Sequence, residues 1–175
     1  MPYAELPARK NIRLNSCDYS SAGYYFITIC VKDSHELLWI PAPVGAHSVR
    51  PPLSEPAGAH IVRPPLSDIG KTVEKSITNI PLIYESVGID KYVIMPNHIH
   101  IIISIDCVRG RTMCAPTIAR VVKQCKEYVT KQIGYSIWQK SYHDHIIRDE
   151  PEYQRIWQYI NENPSRWQDD CYFVK

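Results

Sequence analysis

The sequence has 175 residues, of which 45% are hydrophobic, and this length and composition suit one domain with its own core. With 20 basic and 18 acidic residues the formal net charge is +2, so bulk charge does not indicate a nucleic-acid-binding protein, and affinity for a polyanion must come from local patches. The N-terminus shows no signal-peptide pattern, and no apolar stretch approaches the roughly 18 residues that span a bilayer. We therefore expect a cytoplasmic protein without a membrane segment.

The first half of the chain predicts a strand, a proline-rich insertion and a helix. Tyr24 to Val31 is rich in β-branched and aromatic residues, as strands are. Residues 41–67 hold a near-perfect tandem repeat of the unit Gly-Ala-His-x-Val-Arg-Pro-Pro-Leu-Ser, whose prolines exclude a helix or a central strand, so we expect a surface insertion. Asp68 to Asn79 favours a helix. Its Gly70-Lys71-Thr72 resembles the end of a P-loop, but Pro65 occupies the position of the first glycine, which excludes nucleotide binding there.

The second half predicts a hairpin, a helix, an edge strand and a last helix. Val87 to Met95 and His98 to Ile105 read as two strands separated by a Pro-Asn break. Thr117 to Ile133 follows as a helix, and Tyr142 to Ile147 as a short edge strand. The last helix begins after Asp149, an N-cap residue. Strands in this order, with helices on one face, predict an α+β fold with a largely antiparallel sheet.

Two histidines on the second strand of the hairpin are candidate metal ligands. Strand residues alternate between faces, so His98 and His100 point to the same side, with Cα atoms roughly 6.5–7 Å apart. That spacing suits two imidazoles that bind one metal ion, although two histidines on a strand are more often ordinary polar residues. His143 and His145 have the same spacing and form a rival pair.

The last helix carries a second candidate group. Glu152 follows Asp149 by three residues, as in a capping box, and Pro164 is expected to end the helix because the residue before proline avoids the α region. Tyr159 and Asn163 are one turn apart on one face, where they could supply a nucleophile and a further metal ligand. The alternative is a core-edge aromatic residue and a C-terminal cap. Beside them, i, i+3, i+4 and i+7 spacing predicts a buried stripe of Tyr153, Ile156, Trp157 and Ile160.

Four blocks of this chain, in this order, resemble the REP-associated tyrosine transposases of bacteria, a branch of the single-tyrosine HUH transposases. The blocks are Y-Y-F-I-T-I-C at 24–30, Y-V-I-M-P-N-H-I-H at 92–100, W-Q-K-S-Y-H-D-H-I-I-R-D at 138–149 and Y-I-N-E-N-P-S-R-W at 159–167. The resemblance implies a single HUH domain over residues 1–175, with a ferredoxin-like or RRM-like antiparallel sheet, helices mainly on one face and the repeat as an insertion at about 41–67.

By the same resemblance, His98 and His100 bind a divalent metal, Tyr159 attacks DNA, and Asn163 completes the metal site. Relatives in the insertion-sequence branch tend to carry glutamine at that last position. The implied activity is that of a metal-dependent endonuclease and strand transferase. It acts on single-stranded DNA with hairpins of repeated palindromes, through a 5′-phosphotyrosine intermediate, as a monomer or homodimer. Two imidazole nitrogens with oxygen ligands suit Mg²⁺ or Mn²⁺, although imidazole also suits zinc.

Basic and aromatic residues supply candidate DNA contacts. Arg109 and Arg111 lie in a predicted loop, where they could hold phosphates. A solvent-exposed helix face explains the lysines of the predicted helix Thr117 to Ile133 equally well. Trp138, Tyr142 and Trp167 could stack on unpaired bases, although a core position is the better explanation of each. The full set of candidates is Arg109, Arg111, Arg120, Lys123, Lys126 and Trp138.

Two other functions agree with the same residues. A non-catalytic nucleic-acid-binding domain would use the same sheet without forming a covalent DNA adduct. A metal phosphoesterase would use His98 and His100 with water as the nucleophile, and it would not need Tyr159. The six cysteines, at positions 17, 30, 107, 114, 125 and 171, include no C-x-x-C pair, so we expect reduced thiols rather than a zinc site.

Overall fold

The protein is described here from a computed structural model, over residues 22–41, 65–106 and 116–173. Most of the proline-rich repeat, and the predicted loop with Arg109 and Arg111, lie outside these described residues, so the expectations for them stay predictions. Of the six cysteines, Cys30, Cys125 and Cys171 are described, and all three are free thiols.

A four-stranded antiparallel sheet forms the centre of the fold. Its strands are β1 (Gly23–Cys30), β2 (Val87–Ile94), β3 (His98–Ile105) and β4 (His143–Ile147). Their order across the sheet is β2-β3-β1-β4, and every neighbouring pair is antiparallel. The β2–β3 hairpin and the edge position of β4 are as predicted, and the order is that of a ferredoxin-like β-α-β-β-α-β unit.

Within the described residues, four α-helices connect and follow the strands. They are α1 (Asp68–Thr78), the short α2 (Ile80–Ile83), α3 (Ile118–Ile133) and α4 (Glu150–Glu162). The three longer helices begin at side-chain caps, because the oxygen atoms of Ser67, Thr117 and Asp149 each accept a hydrogen bond from a backbone N–H of the first turn. Within the described ranges, no helix combines the length and the apolar character needed to cross a membrane.

The two faces of the sheet carry different residues because strand side chains alternate. On one face, isoleucines of β1 and β3 such as Ile27 and Ile101 pack against α1 and α3, and each fully buried isoleucine contributes about 1.5–3 kcal/mol. On the other face, Ile102 packs against Ile160 of α4. The predicted α+β fold with helices mainly on one face is confirmed, and α4 is the helix that covers the opposite face.

Helix α4 is less buried than its apolar stripe predicts. Among the four stripe residues only Ile160 is buried, while Tyr153 and Ile156 are half-buried. Trp157 is 37% exposed, and the ammonium group of Lys91 lies 3.8 Å from the centre of its ring. The prediction of a fully buried stripe is therefore wrong for Trp157. The ring of Trp157 therefore contacts the charge of Lys91 rather than the core.

Helix α4 ends before Pro164, as predicted, but the chain stays helical beyond it. Asn163, which precedes it, has helical angles (φ −53°, ψ −43°), and the chain continues as a 3₁₀-helix from Asn163 to Asp169. Proline disfavours the α region in the residue before it but does not forbid it, and at the start of a new helical segment its missing N–H costs nothing. This turn of 3₁₀-helix brings Asp170 back towards the sheet.

Candidate metal centre and nucleophile

The two histidines at the start of β3 face each other on the side of the sheet that α4 covers. The Nε2 atoms of His98 and His100 lie 3.0 Å apart, and the side chains are fully buried, with exposed fractions of 0% and 2%. The predicted convergence of this pair is therefore present in the structure.

The hydrogen bonds of Asn97 decide which nitrogen of His98 carries the proton. The side-chain nitrogen of Asn97 donates to the backbone oxygen of Tyr172 at 2.8 Å and to that of Ser34 at 3.3 Å, which fixes the orientation of the amide. Its oxygen then faces Nδ1 of His98 at 2.9 Å, and an amide oxygen only accepts. Nδ1 of His98 must be the donor, so Nε2 carries the free lone pair.

Thr28 holds the second imidazole. Its hydroxyl lies 2.8 Å from Nδ1 of His100, and the ring of Phe26 stacks on the same imidazole with centres 5.2 Å apart. Burial lowers the pKa of both histidines, that of His98 to about 4, so both rings are neutral at pH 7. Neutral imidazoles anchored through Nδ1 are the form in which histidine binds a metal through Nε2.

Tyr159 brings its hydroxyl from α4 to this pair. The hydroxyl lies 3.2 Å from Nε2 of His100 and donates to Asp170 Oδ2 at 3.4 Å. The side chain is 41% exposed, and it opens onto a cleft of about 550 Å³ that is also lined by Arg155 and Arg166. Partial burial, and then the charge of Asp170, raise the pKa of the Tyr159 hydroxyl. The resting hydroxyl is therefore protonated.

Asn163 and Asp170 complete the cluster. Asn163 is 3% exposed and donates through its side-chain nitrogen to Asp170 Oδ2 at 2.8 Å. Within the described part of the chain, its side-chain oxygen is buried without a hydrogen-bond partner. Asp170 Oδ1 accepts from the backbone nitrogen of Tyr172 at 2.8 Å. The ligand atoms of His98, His100 and Asp170 all lie within 4.8 Å of one another.

This set of donors fits a divalent cation. Two neutral imidazoles 3.0 Å apart match ligands bound to one ion at about 2.1 Å and at right angles. The half-buried carboxylate of Asp170 adds the negative charge. The amide oxygen of Asn163, buried without a hydrogen-bond partner among the described residues, is a ligand atom whose burial otherwise costs free energy. Nitrogen and oxygen ligands together suit Mn²⁺ or Mg²⁺. Sequence reasoning missed Asp170, because no periodicity or spacing connects it with the histidines.

The rival histidine pair is not part of the cluster. His143 and His145 lie on the exposed face of the edge strand β4. His145 pairs with Glu152 at 2.8 Å, and Glu152 also accepts from the backbone nitrogen of Arg148. The Glu152 side chain thus ties β4 to the start of α4. The only group of potential ligands found across the described residues is the one formed by His98, His100 and Asp170.

The candidate DNA contacts of α3 lie outside the cluster. Arg120 is exposed, and Lys123 is paired with Glu127 at 3.6 Å. Lys126 donates to backbone carbonyls rather than to solvent. Trp138 is buried in the core with an exposed fraction of 6%, so its ring faces are not available for stacking on a base.

Two comparisons place the chain among known proteins, and no family model matches the sequence. An uncharacterised protein of Haemophilus influenzae is 33% identical over 186 residues, which cover 95% of this chain and 93% of that protein. The solved structure of a REP-associated tyrosine transposase bound to a REP hairpin is 18% identical. It matches 83% of this chain and 68% of its own, with a TM-score of 0.57. This likeness shows a shared fold and confirms the HUH fold that the motifs predicted.

Proposed function

We propose that this chain, which belongs to the same family as the Haemophilus influenzae protein, is a metal-dependent endonuclease and strand transferase for single-stranded DNA. One observation carries the proposal. The hydroxyl of Tyr159 lies 3.2 Å from a ring nitrogen of His100, so a nucleophile from the last helix meets the histidine pair of β3. The metal phosphoesterase alternative does not require a tyrosine at this place.

His98, His100, Asp170 and Asn163 are the residues that would hold the cation, Mg²⁺ or Mn²⁺. When bound, it withdraws charge from the scissile phosphate and aligns that phosphate for in-line attack. Asn97 keeps His98 in the ligand tautomer, and Thr28 holds the ring of His100 through Nδ1.

Tyr159 carries the covalent step. A bond forms between its hydroxyl oxygen and phosphorus, the bond from phosphorus to the 3′-oxygen breaks, and the 3′-oxygen takes a proton from water and leaves as a hydroxyl. A free phenol has a pKa near 10, and the pKa of Tyr159 is raised further, so its proton must leave as the attack occurs. Asp170 Oδ2, at 3.4 Å, is positioned to accept that proton. The phosphotyrosine retains the energy of the phosphodiester, so the strands can be rejoined without ATP.

The substrate we propose is a hairpin formed by repeated palindromes, cleaved in an adjoining single strand. The motif resemblance supports it, and the transposase with the shared fold was solved with a REP hairpin. The protein would act on DNA in the cytoplasm as a monomer or homodimer.

The test is incubation with single-stranded DNA from palindromes that flank the gene, with Mn²⁺, followed by denaturing electrophoresis. Wild-type protein should give a covalent protein–DNA species, and Tyr159→Phe should give none, because it lacks the attacking oxygen. Tyr153→Phe is the matched control, since its hydroxyl, on the same helix, donates to Asp90 and not to the histidines. Loss of the species in the control alone, or its persistence in Tyr159→Phe, would show that Tyr159 is not the nucleophile.

Metal dependence is tested in the same assay. His98→Ala and His100→Ala should each abolish cleavage and leave hairpin binding within a few fold. Asn163→Ala should be milder, because an amide oxygen is a weaker ligand than imidazole and water can replace it. Cleavage in excess chelator would contradict the metal-dependent mechanism, and cleavage without a covalent species would favour the phosphoesterase.

A further inference from the structure

A second, larger cleft lies away from Tyr159, between helix α3 and the segment from residue 136 to residue 142. Its volume is about 730 Å³. Four lysines and one glutamate line it, so its local charge is strongly positive although the whole chain carries only +2. We call it the lysine cleft, and its charged residues are Lys123, Lys126, Glu127, Lys131 and Lys140.

Lys126 forms one wall of the lysine cleft and is a half-buried cation. Its ammonium group donates to the backbone oxygens of Gln139 at 2.8 Å and Ser141 at 2.7 Å, which uses two of its three donors. Burial lowers the pKa of Lys126, and none of the described residues offers it a carboxylate. An anion in the cleft would supply the missing counter-charge.

Lys131 and Lys140 extend this charge towards solvent. Both are exposed, and within the described ranges neither forms an ion pair or a hydrogen bond through its side chain. The fourth lysine, Lys123, is partly neutralised by Glu127. Lys131 and Lys140 are therefore the cations most available to an incoming phosphate.

The lysine cleft is close to the histidine pair across the sheet. The backbone nitrogen of Gln139, which lines the cleft, donates to the oxygen of Cys30 at 3.0 Å. Cys30 is in turn the register partner of His98 on β3. Gln139 and His98 are thus separated by two strand spacings, roughly 10 Å in total. One wall of the cleft therefore lies near the end of the sheet that carries the histidines, while α3 itself packs on the face opposite to α4.

We infer that the lysine cleft holds phosphates of the DNA strand that flanks the cleaved position, an inference that rests on the proposed function. The cleft holds the DNA backbone through its lysine side chains, and the buried Trp138 in its lining offers no ring face to a base. Its contribution is sequence-independent affinity that depends on salt.

The experiment measures binding of a fluorescein-labelled thymidine oligonucleotide of about 20 nucleotides, longer than the roughly 4–16 nucleotides of a single-strand site. Fluorescence anisotropy of the full chain is recorded over a range of salt concentrations. The variant Lys131→Gln/Lys140→Gln should bind several-fold more weakly at low salt. The slope of log affinity against log salt should fall by about 1.4, since each phosphate contact on a single strand contributes about 0.7.

The matched control is Lys71→Gln/Lys75→Gln, which removes the same charge from exposed positions of α1. An unchanged slope in the control supports the inference. Equal losses in both variants would overturn it, because net charge alone would then explain them, and so would an unchanged slope in the cleft variant. Thermal melting shows that both variants are folded.

Formation of the covalent adduct distinguishes a failure of this inference from a failure of the proposed function. At saturating DNA the cleft variant should form the Tyr159 adduct as wild type does, because the chemistry does not involve these lysines. If wild type forms no adduct but the slopes differ as expected, the proposed function fails and the cleft still binds DNA. If the adduct forms and the slopes are equal, the cleft inference fails alone.

Discussion

The buried, neutral histidine pair makes the metal-free protein sensitive to mild acid. The pKa of His98 is lowered to about 4, chiefly by burial, from 6.5 in the unfolded chain. The unfolded state binds the proton of His98 more tightly than the folded state does. The stabilising contribution of the neutral His98 is therefore complete above its unfolded pKa and is lost as the pH falls. The loss begins near pH 6.5 and continues to the folded pKa.

The size of the effect follows from the linkage slope. Between pH 7 and pH 5 the protonated fraction of His98 in the unfolded state rises from about a quarter to nearly one, while the folded state binds little of this proton. Each proton of difference costs about 1.4 kcal/mol per pH unit. The free energy of unfolding should fall by about 2 kcal/mol, and burial of His100 acts in the same direction. For a domain of this size the melting temperature should fall by about 4–8 °C.

The assay is urea denaturation of the chelator-treated protein at several pH values from 7 to 5, a window in which histidines are the main titrating side chains. His98→Asn should flatten the dependence, even if the variant is less stable at pH 7. His143→Asn is the control, because His143 is exposed on β4 and its loss should leave the wild-type slope. A flat wild-type profile, or a profile that His98→Asn does not change, would refute the reasoning.

Three further outcomes are expected. Asp170→Asn should weaken Mn²⁺ binding in calorimetry by at least about tenfold; Asp169→Asn, its exposed neighbour, should not, and equal effects would remove Asp170 from the site. Gly70→Ala should lower the free energy of unfolding by about 1–3 kcal/mol, because the added methyl group would clash with the backbone carbonyl of Leu38; an unchanged urea midpoint would contradict that packing. Deleting one repeat unit, residues 45–57, should leave the melting temperature and the cleavage rate nearly unchanged, since loop-closure free energy changes by only about 0.6 kcal/mol per doubling of length; a large loss of thermal stability would show that the repeat packs on the core.

Local chemistry explains why the elements were predictable. The caps Ser67, Thr117 and Asp149 act within one helical turn, and strand alternation acts between adjacent residues, so both can be read without the tertiary structure. The last α-helix ends at Glu162, before Pro164, as predicted, but the reason given for that end was wrong, because Asn163 keeps helical angles and the chain continues as a 3₁₀-helix.

Exposure was less predictable than secondary structure. The apolar spacing on α4 indicates which face turns inward, but not how much of that face the sheet covers. Trp157 lies at the margin, where Lys91 and not the core covers its ring. Trp138 shows the reverse, because a residue considered for base stacking became part of the core when its segment paired with the end of β1.

The sequence by itself determined the histidine pair, because residues two apart on a strand must share a face whatever surrounds them. It also determined that Tyr159 and Asn163 share a face of one helix. Only the tertiary structure decided that these two faces meet, with the Tyr159 hydroxyl 3.2 Å from His100. It alone brought Asp170 to the histidines, and Gln139 of the lysine cleft to within two strand spacings of His98. These contacts join residues that are far apart in the sequence, through chain reversal and sheet pairing, and no periodic pattern in the sequence indicates them.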